Sequence, residues 1–300
     1  PKDRKFIKLN TNENPYPPSA EALAAIREAA GEGLRLYPDP DGADLREALA
    51  ACYGVKESQI FLGNGSDEIL AFAFQALFDP EKEIVFPDIT YSFYPVYAAL
   101  FGQRFREIPL DEHFGVPVDQ FLGNNGGVVL ANPNAPTGIA VGLDVVEKLL
   151  RANPDVVVIV DEAYVDFGAQ SAVGLIDRYP NLVVVQTLSK SRSLAGLRVG
   201  FALGQENLIA ALCCVRDSIN SYTVDRVAQA GAAAFFTSHM KGRPAIMHRA
   251  SRQSTASMRT NAAAGNRVAE ADSGSPWARY TSTCSTSLRM MFARSPGLLI

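Results

Sequence analysis

Val156-Val-Val-Ile-Val-Asp-Glu-Ala-Tyr164 sets the reading of the whole chain. Four valines and an isoleucine in succession leave no polar face, so the segment reads as a strand buried inside a sheet. The run stops at Asp161, a carboxylate that is costly to bury unless something pairs with it. Two neighbours repeat the pattern. Gly127-Val-Val-Leu-Ala131 stops at Asn132-Pro133, and Leu182-Val-Val-Val-Gln186 stops at Thr187-Leu-Ser-Lys190.

Working outward, Gln59-Ile-Phe-Leu62 is a short apolar strand that runs into Gly63-Asn-Gly-Ser-Asp67 and then an apolar helix over Glu68–Phe78. Glu83-Ile-Val-Phe86 is a strand, Tyr91–Phe101 a helix ended by Gly102, and Arg198–Leu203 the last clear strand. Nearer the start, Ser19 caps a helix that continues to Ile26, and Asp44–Tyr53 is a second helix ended by Gly54. Strands that alternate with helices predict an α/β fold, a mostly parallel sheet with helices on both faces. Gly65-Ser66, Asn134, Asp161 and Lys190 each follow the end of a buried strand. Ligands of open α/β sheets bind beyond the carboxyl ends of strands, so these four loops are expected to meet in one pocket.

The bulk numbers narrow the function. The 300 residues are 47% hydrophobic and 20% charged, as expected of a globular protein with a sizeable core. No apolar run is long enough to span a bilayer, and no signal peptide is visible in a chain that starts at Pro1. The four cysteines lack C-x-x-C spacing, which argues against a metal cluster or disulfide framework and fits a reducing cytoplasm. A net charge of -4 gives no reason to expect nucleic acid or an anionic membrane as partner. The charge is uneven: residues 1–236 carry 19 Lys and Arg against 30 Asp and Glu, and residues 237–300 carry 9 against 2.

Each candidate has a chemical reading and a plainer one. Gly63-Asn-Gly-Ser-Asp67 lets the backbone approach an anion at a helix N-terminus, but alone it reads equally as a strand-to-helix turn. It lacks the lysine of a P-loop and the spacing of a dinucleotide fingerprint. Asp161 is a helix cap or the partner of a cationic ring nitrogen, whose protonation it would favour. Lys190 is a solvated surface residue or an amine tuned at the mouth of a desolvated site to form a Schiff base. Arg198 is half of a surface ion pair or a fork for phosphate.

Taken together, these segments resemble a known family. Ser189-Lys-Ser-Arg-Ser-Leu-Ala-Gly-Leu-Arg198, Asn132-Pro-Asn-Ala-Pro-Thr-Gly138 and Asp161-Glu-Ala-Tyr164 fall in the order and spacing of the class I/II aminotransferases of fold type I, over roughly residues 6–236. Leu9-Asn-Thr-Asn-Glu-Asn-Pro-Tyr-Pro-Pro18, Leu36-Tyr-Pro-Asp39, Thr90-Tyr-Ser-Phe-Tyr94 and Asp161–Phe167 are similar to the histidinol-phosphate aminotransferase branch.

The resemblance implies pyridoxal 5'-phosphate (PLP) as cofactor. Lys190 would hold it as a Schiff base and then move the substrate's proton, while Asp161 would pair with the pyridine nitrogen and Tyr164 with the phenolate oxygen. Tyr91 would stack on the ring. Gly65, Ser66, Asp67, Ser189 and Arg198 would surround the phosphate. Tyr37 would reach the neighbouring subunit's phosphate site, which implies a homodimer with shared active sites. The family places an asparagine directly before Pro-Thr-Gly; here that residue is Ala135, and Asn134 is the candidate. The implied reaction takes a small-molecule amino donor, L-histidinol phosphate, and a 2-oxo acid, 2-oxoglutarate, to imidazole-acetol phosphate and L-glutamate in histidine biosynthesis. Another fold type I aminotransferase acting on aromatic or other amino acids, a PLP lyase or decarboxylase, and an inactive PLP-binding remnant stay open.

The family's small C-terminal domain, with an arginine that grips the substrate carboxylate, is expected to be missing or disrupted. Residues 237–300 hold 10 Ser, 6 Thr and 8 Arg but only 7 Ile, Leu, Val and Phe, a composition that leans towards disorder. A reading-frame change near Thr237, or an equivalent sequence error, would account for such an Arg/Ser-rich tail, with a divergent natural C-terminus as the alternative. The division expected is an arm and first helix over 1–30, a PLP-binding domain over 31–236, and the tail.

Overall fold

The computed structural model describes residues 10–123 and 125–242. Among them seven strands form one sheet: β1 (Ile60–Asn64), β2 (Ile84–Pro87), β3 (Phe105–Ile108), β4 (Gly127–Ala131), β5 (Val158–Asp161), β6 (Leu182–Thr187) and β7 (Val199–Gly204). Their spatial order is β1-β7-β6-β5-β4-β2-β3. Neighbours pair in parallel except at β7, which is antiparallel to both β6 and β1. The mostly parallel sheet is as the sequence predicts.

Helices cover both faces. On one side lie α1 (Ala20–Ala29), α2 (Ala43–Tyr53), α5 (Leu143–Ala152) and α7 (Arg226–Gly242), whose apolar residues share one buried cluster with Val158 and Val160 of β5. On the other lie α3 (Gly65–Ala76), α4 (Tyr94–Leu100) and α6 (Glu206–Ile219), whose apolar residues share a second buried cluster with Val157 and Ile159. The strand's period of two sends alternate valines to opposite layers, and this is why the run needs no polar residue.

Local chemistry sets most boundaries. Ser19 Oγ accepts from the Ala22 N–H at 3.2 Å and caps α1. Gly54, at φ 69°, ends α2 in the left-handed conformation. Three expectations change. The helix read from Tyr91 begins at Tyr94, because Pro95 fits only a helix's first turn. Strand β3 escaped notice because three of its four side chains are exposed, so Phe105-Arg-Glu-Ile108 shows no buried run. Helix α7 continues to Gly242, six residues into the segment expected to lack a helical period; the His239 ring lies 4.3 Å from that of Phe235, one turn back. The rest of that segment, residues 243–300, lies outside the described residues, as do residues 1–9 of the arm.

The register brings the loops together. Ala131 sits opposite Asp161 and Asp161 opposite Val185, so β4, β5 and β6 end at one edge. Strand β7 runs back from that edge, with Gly200 opposite Thr187 of β6 and opposite Gly63 of β1. Arg198 therefore enters where the other strands leave. Gly200 is required here: a Cβ built on it would lie 2.5 Å from both the Gly65 carbonyl carbon and the Ser66 nitrogen, which are backbone and cannot swing aside. Gly200→Ala is expected to lower the unfolding free energy by roughly 1–3 kcal/mol. Urea melts checked against Gly196→Ala, whose Cβ meets nothing within 4 Å, test this; equal midpoints for the two variants would count against it.

Candidate active site

The Asp161 carboxylate is 5% exposed at the end of β5. It points to the layer of α3 and α4, where the Tyr94 hydroxyl donates to Oδ2 at 2.8 Å and the Ala163 N–H donates to Oδ1 at 3.1 Å. Burial pushes its carboxyl up to about 6, against the pull of those two donors. An acid held in this way gains from any cation placed beside it.

Next to Asp161 lies a chain of aromatic and charged contacts. The Tyr91 ring packs edge-on against Tyr94 at 5.6 Å and stacks on Phe93 at 5.5 Å. Its hydroxyl donates to Asp67 Oδ1 at 2.6 Å, with the Tyr97 hydroxyl at 3.4 Å from the same oxygen. Asp67 Oδ2 lies 3.5 Å from Nη2 of Arg198. Burial and Asp67 together raise the Tyr91 phenol well above its ordinary range, so it stays a donor.

Arg198 (φ 54°) and Gly65 (φ 78°) form the other wall. A Cβ on residue 65 would lie 2.5 Å from Arg198 Nη2, so only glycine admits the guanidinium over the start of α3. The first amides of a twelve-residue helix and a half-exposed guanidinium thus face the same space, a cradle suited to an anion. The Ser189 hydroxyl lies 3.0 Å from Thr187 Oγ1, on the turn that follows β6.

Lys190 stands on that turn. Its Nζ donates to the Thr11 carbonyl at 3.1 Å and lies 5.5 Å from the centroid of the Tyr164 ring. The Tyr164 hydroxyl accepts from Asn12 Nδ2 at 2.9 Å, and Asn14 Nδ2 donates to the carbonyls of Lys190 and Ser191 at 3.1 and 3.2 Å. The segment 11–14 therefore closes over the lysine.

Two expected residues are otherwise engaged. Asn134 is buried; its Nδ2 donates to the Ile89 carbonyl at 2.8 Å and Thr137 Oγ1 at 3.2 Å, and its Oδ1 accepts from Thr90 Oγ1 at 2.7 Å. It ties two loops together, with both amide hydrogens already used. Tyr37 is 76% exposed and stacks on Tyr222 at 4.6 Å. Sequence reasoning missed Tyr94, Tyr97, the arm contacts of Thr11, Asn12 and Asn14, and a buried group around Glu162 and Arg192. The Tyr91-x-x-Tyr94-x-x-Tyr97 spacing, one face of a helix, was the available signal for the first two. Among the described residues no cluster of three or more His, Cys, Asp or Glu is arranged to hold a metal ion, and no helix is long and apolar enough to cross a membrane.

Solved structures share this architecture. Aspartate aminotransferase from Thermus thermophilus with maleate superposes with TM-score 0.70 at 24% identity, covering 77% of this chain and 64% of that one. Histidinol-phosphate aminotransferase from Sinorhizobium meliloti in complex with pyridoxal-5'-phosphate superposes with TM-score 0.67 at 27% identity, over 77% of this chain and 64% of that one. The fold is that of the fold type I transferases, an assembly in which PLP is the working cofactor. Residues 4–272 match the family described as Aminotransferase class I and II, and the chain belongs to that family. It is 57% identical over 236 residues to histidinol-phosphate aminotransferase 1 of Pseudomonas aeruginosa, covering 79% of this chain and 67% of that protein. It is 58% identical over 239 residues to histidinol-phosphate aminotransferase of Acinetobacter baumannii (strain SDF), covering 79% and 66%. The chain thus spans about two thirds of the length of these relatives.

The raised carboxyl has a consequence for stability. Below its ordinary 3.8, Asp161 is protonated in the folded and unfolded chain alike. Between 3.8 and about 6 only the unfolded chain gives up the proton, so folding stability falls as pH rises through that window. Without cofactor, Asp161→Asn should remove this slope and gain on the parent by roughly 3 kcal/mol between pH 4 and pH 7. Denaturant melts across pH check it; a constant difference between the two proteins would show that Asp161 is not the buried acid described.

Proposed function

We propose that the protein is a PLP-dependent histidinol-phosphate aminotransferase, moving the amino group of L-histidinol phosphate to 2-oxoglutarate and yielding imidazole-acetol phosphate and L-glutamate in histidine biosynthesis. The observation that carries the chemistry is the placement, beyond one sheet edge, of the buried Asp161 carboxylate at the end of β5 and of the turn after the neighbouring β6 that carries Lys190. The names of relatives 57 and 58% identical support the choice of substrate.

The residues present fit the cofactor. Its phosphate is a dianion, and the Gly65–Arg198 cradle with Ser66 and Ser189 offers positive charge and free donors. Its ring nitrogen gains a proton beside a carboxylate, and Asp161 is a carboxylate that gains from a cation. When bound, PLP supplies an aldehyde that exchanges amines and a ring that draws off electrons.

The protein's residues do the rest. Lys190 would provide the amine that holds the cofactor and, once freed, would move a proton between the substrate's Cα and the cofactor's C4′ as base and then acid. Its position over the Tyr164 ring, with the Thr11 carbonyl as acceptor, keeps the amine at the site when it is not engaged. Tyr164 would donate its hydroxyl to the ring oxygen, and Tyr91 would cover a ring face. Asp67 acts through Arg198, holding the guanidinium over the start of α3. Asn134 would act by tying the loop after β4 to the loop after β2 through Thr90 and Thr137. The assembly is a homodimer in which Tyr37, with its ring exposed, extends to the partner's phosphate cradle.

Borohydride reduction of the protein incubated with PLP, followed by peptide mapping, tests the site. The label is expected on Lys190, and Lys190→Ala should lose the yellow absorbance together with at least about a hundredfold in transamination rate. A label on another lysine overturns the assignment. Comparison of amino donors tests the substrate: an aromatic amino acid that outpaces histidinol phosphate, or product release with no oxo acid present, would replace this reaction with another of the fold.

A further inference from the structure

We infer that Arg192 is a positioning residue for Lys190, fixing the turn that carries the lysine from inside the protein. The inference rests on the reading of Lys190 given above and adds a residue that the reaction itself does not touch.

Arg192 lies two residues past Lys190 in a serine-rich turn, yet its side chain is only 8% exposed. It turns inward while the lysine amine stays accessible. Nη1 donates to the Thr187 carbonyl at 2.8 Å, binding the last residue of β6 to the turn that follows it. Nη2 donates to Gln186 Oε1 and to the Tyr53 hydroxyl oxygen, each at 2.8 Å, and lies 3.4 Å from Asp166 Oδ2. The guanidinium carbon is 5.6 and 5.5 Å from the ring centroids of Phe201 and Phe236.

The groups that receive Arg192 are themselves held. The Tyr53 hydroxyl donates to Gln186 Oε1 at 2.6 Å, and Gln186 Nε2 donates to Glu162 Oε2 at 2.8 Å. Glu162 also accepts from the Ser171 hydroxyl at 2.7 Å and the Ala172 N–H at 2.6 Å. Asp166 accepts from the Ser191 hydroxyl, next to Lys190. Arg192 thus joins β6, α2 and the segment after β5 to the lysine turn.

A buried guanidinium is tolerated only when its donors are matched, and here four acceptors on three different segments match it. A lysine in its place keeps the charge but has donors on a single point, which cannot bridge Thr187 and Tyr53 together. From the outer side, Asn14 holds the carbonyls of Lys190 and Ser191. The turn is gripped between these two contacts, so the amine at the tip of a flexible stem swings from a fixed root. Reaction rates depend steeply on such placement.

The experiment uses the full chain with Arg192→Lys and Tyr53→Phe, the latter removing one oxygen from the network and leaving the ring. In the cofactor-free protein, hydrogen exchange of the Leu188, Ser193 and Leu194 amides reports the turn directly, since all three bond within it or to β7. Exchange there should rise about tenfold in Arg192→Lys and less in Tyr53→Phe, with the strands unchanged. Borohydride-trapped attachment of PLP to Lys190 should slow by about tenfold or more. Affinity for pyridoxamine 5'-phosphate, which cannot bond to the lysine, should stay within about threefold, as expected for a loss of orientation and not of the pocket. Parent-like exchange and trapping in a folded Arg192→Lys overturns the proposal. So does a parallel loss of pyridoxamine 5'-phosphate binding, which marks general damage. If the parent itself is labelled at another lysine, the reading of Lys190 fails, and the proposal with it, whereas unchanged exchange with the label on Lys190 sinks this proposal alone.

Discussion

The site depends on one electrostatic constraint, a carboxylate held out of water at the end of a parallel strand. Asp161 cannot retreat to solvent because β5 is central in the sheet, with β4 and β6 on either side. The layer beside it answers with a tyrosine hydroxyl and a backbone amide. Those two donors leave the acid raised, at about 6, so the folded protein keeps an unmet preference for positive charge at that point. Tyr94 must then be fixed, and its contacts pass through Tyr91 to Asp67 and on to Arg198. The acid at the foot of the site and the guanidinium at its rim belong to one chain of contacts.

The residue after Asp161 follows the opposite course. The strand's alternation sends Glu162 to the other side of the sheet, where its carboxyl is pushed up to about 7 by burial, against three hydrogen bonds and the attraction of Arg192. Two adjacent acids thus do different work: Asp161 looks towards the space where a ligand would sit, and Glu162 anchors the network beneath the lysine turn. A shift of one residue in the register of β5 would exchange their faces, which ties the strand pairing to the chemistry of the site.

Much of this was legible in the residues. The runs of valine, isoleucine and leucine in β4, β5 and β6 announced buried strands, and the strand-end positions of Asn134, Asp161 and Lys190 followed from them. The polar partners were not legible, because they are chosen across the fold. Tyr94 meets Asp161 from 67 positions away and Tyr53 meets Arg192 from 139, and no local pattern encodes either distance. Arg192 in a run of serines reads as a surface residue, and its burial arises only when α2, β6 and α7 close around it. The edge strand β3 was hidden for the opposite reason: exposure leaves a strand free to carry charge. Asn134 and Ala135 show a third limit, since a motif tells which side chain is present and not which of its hydrogens are already spent.

The costs assembled at this edge point the same way. Arg198 and Ser193 hold left-handed backbone without being glycine, at φ 54° and 57°, on the same side of Lys190 in sequence. Such conformations, like a raised acid, disfavour the folded state by about 1–3 kcal/mol each and persist where the surroundings over-determine them. Here the backbones of β7 and α3 meet closely at Gly200 and Gly65, next to Arg198, and the buried valine layers supply the stability that sustains the strain. A ligand that brings a cation to Asp161 would offset the cost of the raised acid, while an anion at the guanidinium would add a contact beside the Arg198–Asp67 pair. Binding would then stabilise the fold beyond the contacts it adds, because the buried acid, raised in the free protein, gains the opposite charge it lacks.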